Sequence, residues 1–127
     1  MQEKLQQVLD TQKQLQERLG TSFDMTTEER AKFFKEQAYF VTDELHELGK
    51  ELPHLKGWKS YDQLTDADLQ QRFANAREEF IDVFTFLMNI ALALDIDAEA
   101  MYKLYFDKNK VNNKRQDDGY EEVSQCK

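Results

Sequence analysis

Two pairs of acidic residues in the sequence could hold a divalent cation. Glu44–Glu47 and Glu79–Asp82 each have a spacing of three, so in a helix each pair presents two carboxylates on one face. Each pair borders an apolar stripe, and four carboxylates would converge if the two helices packed along those stripes. A pair of like charges about 4 Å apart costs about 4 kcal/mol at an effective dielectric constant of 20. All-oxygen ligation suits Mg²⁺ or Mn²⁺, with waters and substrate phosphates completing the shell.

The same acids could instead be solvated charges on amphipathic helices. The chain holds 25 acidic residues, so pairs at this spacing are common. The surroundings of the second pair favour a site, because Phe80, Val83 and Leu87 lie around it. Charge within an apolar stretch is costly and usually has a reason.

A polar face near the C-terminus could bind phosphates. Lys108, Asn112 and Arg115 recur at helical spacing with Asn109 beside them, and an arginine can bind a phosphate through two hydrogen bonds. Basic residues also favour helix C-termini for electrostatic reasons, which alone could account for Arg115. That alternative does not account for the asparagines, which are poor helix formers.

A side-chain amide lies on the apolar face of the first predicted helix. Gln12 shares that face with several leucines. An amide offers both a donor and an acceptor, which suits the edge of a nucleobase. The alternative is a polar residue at a seam between helices, and the sequence leaves both interpretations open.

The elements that must position these residues are predicted to be helices. With four Gly and one Pro, the chain has few turn residues, which favours an all-α, four- to five-helix bundle. Apolar periodicity predicts helices over about 3–19, 26–52, 65–94 (with an optional break near Asn75) and 98–115. Thr26–Glu29 and Thr65–Asp68 are spaced as capping boxes. The apolar stripes expected to pack include Phe34, Leu45, Phe73, Phe80, Leu87, Leu94, Leu104 and Tyr105.

Composition limits the class of protein. The chain has 127 residues, which fits one domain over about 1–120 with a short tail over 121–127. A net charge of -8 and a pI near 4.8 argue against nucleic-acid binding. The single cysteine excludes a disulfide framework, and the longest apolar stretch is interrupted by polar residues. We therefore expect a soluble cytoplasmic protein that does not enter membranes.

These motifs, in this order, resemble the all-α nucleoside triphosphate pyrophosphohydrolases, which include MazG and the dimeric dUTPases. That group carries E-x-x-E on one helix and E-x-x-D on the next, as 44–47 and 79–82 do here. Residues 105–120, YFDKNKVNNKRQDDGY, are similar to the Y-x-x-K-N-x-x-N-x-x-R-Q-x-x-G-Y run of dimeric dUTPases. Residues 9–16 and 56–59 resemble their L-x-x-Q-x-x-L-(D/N) and K-x-W-K patterns, with Gln16 in place of Asp or Asn.

The resemblance implies a role for each matching residue. Glu44, Glu47, Glu79 and Asp82 would hold two or three Mg²⁺ ions, with Mn²⁺ as the alternative. Glu47 would also orient or deprotonate the attacking water. The other implied contacts are with the phosphates, through Lys56, Lys59, Lys108, Asn112, Arg115 and Tyr120, and with the base, through Gln12, Gln16 and Trp58.

The implied activity is Mg²⁺-dependent hydrolysis of dUTP to dUMP and pyrophosphate, with dUDP as a further substrate, by a homodimer. One alternative is the same chemistry on another nucleotide, such as dCTP or a non-standard triphosphate. A second alternative is a helical interaction module without catalytic activity.

Overall fold

The computed structural model describes residues 2–51 and 64–119, and these residues form four α-helices. The helices are α1 (Gln2–Arg18), α2 (Thr27–Lys50), α3 (Asp66–Ala93) and α4 (Ala98–Asp117). The described chain contains no strand, so the all-α prediction is confirmed. Helix α3 runs without interruption through Asn75, and the optional break there does not occur.

Short polar side chains fix where three of the helices begin. Thr26 and Thr65 accept hydrogen bonds from the backbone N–H groups of Glu29 and Asp68, whose carboxylates accept from the threonine N–H groups in return. Both predicted capping boxes are therefore present. These backbone hydrogen bonds lower the pKa of the Glu29 and Asp68 carboxyls. Asp97 caps α4 by accepting from Ala100 N–H at 2.8 Å.

After α1 and again after α3, the chain passes through a residue whose backbone has a positive φ angle. Gly20 follows α1 with φ 102°, a conformation that glycine adopts without a steric penalty. Asp95 takes φ 56° between α3 and α4, and aspartate is one of the residues that tolerates this region. This turn leaves only three residues after Leu94 before α4 begins.

Helices α2 and α3 form a long antiparallel pair to which the other two helices are added. The rings of Phe40 and Phe86 are 5.3 Å apart near the middle of the pair. Helix α1 packs against α3, and α4 packs against α1. The buried apolar core lies at the α3–α4 end, and its members are Leu9, Met88, Ala91 and Ala98. No described helix is both long enough and apolar enough to cross a membrane.

Part of the predicted apolar packing is wrong for the single chain. Four residues, Phe73, Phe80 and Leu87 on α3 and Leu94 at its C-cap, recur every seven residues and are 43–56% exposed. We call these four residues the apolar seam. The other predicted core residues that are exposed are Phe34, Leu45, Leu104 and Tyr105. Helix α3 uses another face to contact α2, so the four described helices leave the seam uncovered.

Candidate functional site

Three of the four predicted carboxylates come together between α2 and α3. One oxygen each from Glu44, Glu79 and Asp82 can be chosen so that all lie within 4.8 Å of one another. Glu44 and Glu79 are half-buried, whereas Asp82 is exposed. We call these three residues the carboxylate cluster. The antiparallel pairing brings them together because Glu44 is near the end of α2 and the other two are in the middle of α3.

Mutual repulsion in the carboxylate cluster is visible in Glu79. Partial burial raises the pKa of the Glu79 carboxyl above its usual range, and the charges of Asp82, Glu44 and Glu47 raise it further. A hydrogen bond with Glu44 also favours the protonated form of Glu79. The described cluster therefore holds negative charge that a cation would stabilise.

Glu47 is not one of the three converging carboxylates and pairs instead with a lysine on its own helix. Its Oε1 lies 3.1 Å from Nζ of Lys50, one turn along α2, and both side chains are 52% exposed. An exposed ion pair of this kind contributes about 0–1 kcal/mol, so it does not hold Glu47 firmly. The predicted convergence of all four carboxylates is thus only partly seen in this arrangement, although Glu47 still acts on Glu79 electrostatically.

The predicted phosphate-binding side chains lie on α4, outside the helix pair that carries the carboxylate cluster. Lys108, Asn112 and Arg115 are exposed, as is every described residue from Tyr102 onward. Among the described helices α4 packs against α1 and not against the α2–α3 pair that holds the carboxylates. Their prediction as phosphate ligands stays untested.

The two predicted base contacts on α1 are both hydrogen-bonded within the chain. Gln12 Nε2 donates to Asn89 Oδ1 at 2.9 Å, so Gln12 lies at a helix seam, one of the two alternatives left open. Gln16 Oε1 accepts from Thr21 Oγ1 at 3.3 Å, next to the turn that ends α1. Four further predicted contacts, Lys56, Trp58, Lys59 and Tyr120, lie outside the described residues.

Sequence reasoning missed two buried amides next to Gln12. Asn89 Nδ2 donates to Gln37 Oε1 at 2.9 Å, and the two residues are 1% and 4% exposed. A spacing could have revealed them, because Gln37 is seven residues before Glu44 and Asn89 is seven after Asp82. Seven residues make two helical turns, so each amide shares a helix face with an acid.

The donor chemistry of the carboxylate cluster fits a hard divalent cation. Three carboxylate oxygens within 4.8 Å of one another could bind the same ion, and Mg²⁺ is usually held by a few carboxylates together with water and phosphate oxygens. The cluster holds no imidazole or thiolate, the ligands that softer metals favour. The three carboxylates of the cluster therefore suit the Mg²⁺ ion that the sequence predicts at this position.

A family model described as dUTPase matches residues 4–100, which include most of α1, the starts of α2, α3 and α4, and the carboxylate cluster. The chain belongs to this dUTPase family. No solved structure shows a significant match to the chain.

Two bacteriophage proteins are similar to the chain over most of its length. One is a dCTP pyrophosphatase of Enterobacteria phage T4, 30% identical over 145 residues that cover 91% of this chain and 82% of that protein. The other is a dCTP pyrophosphatase of Enterobacteria phage LZ5, 31% identical over 141 residues with the same coverage.

Proposed function

We propose that this protein is a Mg²⁺-dependent pyrophosphohydrolase of pyrimidine deoxynucleoside triphosphates. The general class, a nucleotide pyrophosphohydrolase, follows from the family and from the two relatives. The observation that carries the more specific proposal is the carboxylate cluster, in which three acids from two helices converge within 4.8 Å. The interaction-module alternative gives no reason for this convergence.

The carboxylate cluster would hold the metal. Glu44, Glu79 and Asp82 supply the oxygens, and two or three Mg²⁺ ions, or Mn²⁺ in their place, are the proposed cofactors. When bound, such ions supply positive charge that attracts the polyphosphate and polarises its phosphorus–oxygen bonds. The protein has a net charge of -8, so its own acids would otherwise repel the substrate.

Glu47 is the proposed general base. Hydrolysis adds water across the bond between the α- and β-phosphates and yields a nucleoside monophosphate and pyrophosphate. The attacking water must lose a proton, and a carboxylate at the edge of the cluster can accept it. Glu47 would accept this proton after leaving the exposed ion pair with Lys50.

Basic and amide side chains would bind the polyphosphate. Lys108, Asn112 and Arg115 on α4 are proposed to stabilise the charge that develops on the phosphates. The further proposed phosphate contacts, outside the described residues, are Lys56, Lys59 and Tyr120. Because the described α4 packs on α1, the complete phosphate site requires either a partner subunit or a rearrangement of this helix.

A second copy of the chain is the proposed partner. The apolar seam extends from Phe73 on α3 to Leu94 at its C-cap, which is about 30 Å of helix. Exposed aromatic side chains are also present on α4, where the tilted rings of Tyr102 and Phe106 lie 4.7 Å apart. A dimer that covers these faces would remove apolar surface from water and could bring one subunit's α4 toward the other's carboxylates.

The base that is recognised is either uracil or cytosine. The family's description favours dUTP, and the names of the two relatives favour dCTP. The resemblance of the motifs adds dUDP as a further proposed substrate. Gln12, Gln16 and Trp58 are the proposed base contacts. Replacement of the usual Asp or Asn by Gln16 affects this part of the site, which makes a direct comparison of the two substrates necessary.

A substrate panel tests the proposal. Purified protein with Mg²⁺ is incubated separately with dUTP, dCTP, dTTP, dATP, dGTP and UTP, and the products are separated by chromatography. We expect monophosphate and pyrophosphate from dUTP or dCTP, and no product when EDTA is present. Inorganic phosphate as the product, or turnover that survives EDTA, would contradict the chemistry. Absence of any turnover would favour the interaction module.

A further inference from the structure

Three amide side chains form a continuous hydrogen-bonded chain across the bundle. Gln12 on α1 donates to Asn89 on α3, and Asn89 donates to Gln37 on α2, both at 2.9 Å. We call this chain the amide relay. Asn89 and Gln37 are almost completely buried, and a buried amide is costly unless its polar atoms are hydrogen-bonded. The relay therefore couples the orientations of the three amides, because one amide can turn only if its neighbour turns with it.

The direction of the amide relay determines what Gln12 presents outward. Gln37 places its Oε1 oxygen toward Asn89, so Asn89 must turn its Nδ2 group toward α2. The Oδ1 oxygen of Asn89 then faces α1 and accepts from Gln12 Nε2. Within the described residues no hydrogen bond uses Gln12 Oε1, and the residue is half-buried. Gln12 thus retains a hydrogen-bond acceptor whose orientation is set two side chains away.

The amide relay lies at a useful distance from the carboxylate cluster. Gln37 and Asn89 are two helical turns from Glu44 and Asp82, on the faces where α2 and α3 meet. Two turns correspond to about 10–11 Å along the helix axes. That separation is comparable to the distance from the base of a nucleotide to its outer phosphates. A triphosphate bound at the cluster could therefore place its base beside Gln12.

We infer that Asn89 and Gln37 are positioning residues for base selection, because they hold the Gln12 oxygen toward the base. Cytosine carries an amino donor at position 4, where uracil carries a carbonyl acceptor. The held oxygen accepts from the cytosine amino group and opposes the uracil carbonyl. The amide relay accordingly favours dCTP over dUTP. This inference rests on the proposed function, in which Gln12 contacts the base.

The test compares two substrates on each variant of the same enzyme. The readout is the ratio of kcat/KM for dCTP to kcat/KM for dUTP. This ratio is independent of the fraction of protein that is folded, since both substrates meet the same preparation. Gln37→Met removes the acceptor for Asn89 at similar side-chain length, and Asn89→Leu removes the direct partner of Gln12. We expect either change to lower the ratio about tenfold, mostly by lowering kcat/KM for dCTP.

Two further variants separate positioning from structural support. Gln37→Glu keeps an oxygen acceptor at the same place, so it should retain the wild-type ratio. Gln6→Leu removes another partly buried amide, whose Oε1 accepts from Ala98 N–H at 3.0 Å and ties α1 to α4. It should lower the melting temperature and leave the ratio unchanged.

Several results would overturn the inference. A wild-type ratio that persists in both Gln37→Met and Asn89→Leu would show that the amide relay does not set selectivity. An equal change in Gln6→Leu would show general loosening of the bundle instead, and a wild-type preference for dUTP would contradict the inferred orientation of Gln12. A wild-type protein that hydrolyses neither substrate would refute the proposed function itself, and so is distinguishable from failure of the relay alone.

Discussion

Glu79 is the residue in which the demands of folding and of metal binding conflict most clearly. It is half-buried, lies beside Glu44 and Asp82, and has a raised carboxyl pKa. A group whose ionised form is disfavoured in the folded state destabilises that state when it ionises. The conflict disappears when a cation neutralises the carboxylate cluster, so metal binding and stability should be linked through this side chain.

Replacement of Glu79 by Gln should therefore raise the stability of the metal-free protein and abolish its activity. The amide removes a charge from the cluster, and repulsion by Asp82, Glu44 and Glu47 falls. Loss of a proposed metal ligand should lower kcat by more than about 100-fold, which is the upper range for outer-shell substitutions. Thermal unfolding in EDTA and steady-state hydrolysis in Mg²⁺ measure the two effects.

Glu78→Gln is the matched control for this prediction. Glu78 is the exposed neighbour of Glu79 on α3 and lies outside the carboxylate cluster. Its replacement should change neither the melting temperature nor kcat appreciably. Addition of Mg²⁺ should raise the melting temperature of wild type and of Glu78→Gln more than that of Glu79→Gln. Wild-type turnover by Glu79→Gln would show that the metal assignment is wrong.

The sequence allowed some of these side chains to be placed and not others. The acidic spacing of 44–47 and 79–82 was sufficient to put the carboxylates of each pair on one helix face. It could not show that Glu47 would pair with Lys50, because that depends on side-chain rotamers at an exposed position. Gln37 and Asn89 were missed because an uncharged amide within an apolar stretch resembles an ordinary interruption until its buried partner is known.

The two capping boxes explain why the helix starts were predictable. Each threonine and its acidic partner lie within three residues of one another, so local hydrogen bonding determines the helix start without tertiary contacts. Which face of α2 and α3 is buried depends instead on distant partners. That is why Leu45 was expected to pack and is exposed, whereas Gln37 is buried.

Asp68 should make the stability of the protein depend on pH in the acidic range. Hydrogen bonds with Thr65 lower the pKa of the Asp68 carboxyl in the folded state. Its stabilising effect is complete above the unfolded pKa of about 3.9 and is lost as the pH falls through the lower folded value. The difference in unfolding free energy between wild type and Asp68→Asn should thus be largest near neutrality and disappear in strong acid.

Urea unfolding at a series of pH values measures this difference. Asp66→Asn is the control, because it removes an equal charge from the same helix turn but lies outside the capping box. Thr65→Ala removes the other half of the box and should cost about 1 kcal/mol at neutral pH. A pH dependence that is the same for Asp66→Asn and Asp68→Asn would assign the effect to general charge rather than to the capping hydrogen bonds.

At the scale of the whole molecule, the four described helices expose more organised apolar surface than a four-helix monomer needs. The apolar seam follows one face of α3 for most of its length. Beside it is a shallow apolar cavity of about 540 Å³, lined by Leu48, Phe73, Ala76, Arg77, Phe80 and Ile81. Contiguous exposed apolar faces of this kind usually mark an interface. They also account for the failed core predictions, since apolar periodicity predicts burial without identifying which chain supplies the covering surface.

If a second copy covers the apolar seam, a charge placed on the seam should separate the subunits. Phe73→Glu puts a carboxylate at one end of the apolar seam, within the proposed interface, where its desolvation opposes association. We expect light scattering after size exclusion to give twice the 15.1 kDa chain mass for wild type and a single chain mass for the variant. Leu19→Glu, at an exposed position after α1, is the control and should remain dimeric.

If the phosphate ligands on α4 act across the interface, monomeric Phe73→Glu should also lose activity while keeping its helical circular dichroism. A wild-type monomer with full activity would instead require that Lys108, Asn112 and Arg115 reach the carboxylate cluster of their own chain.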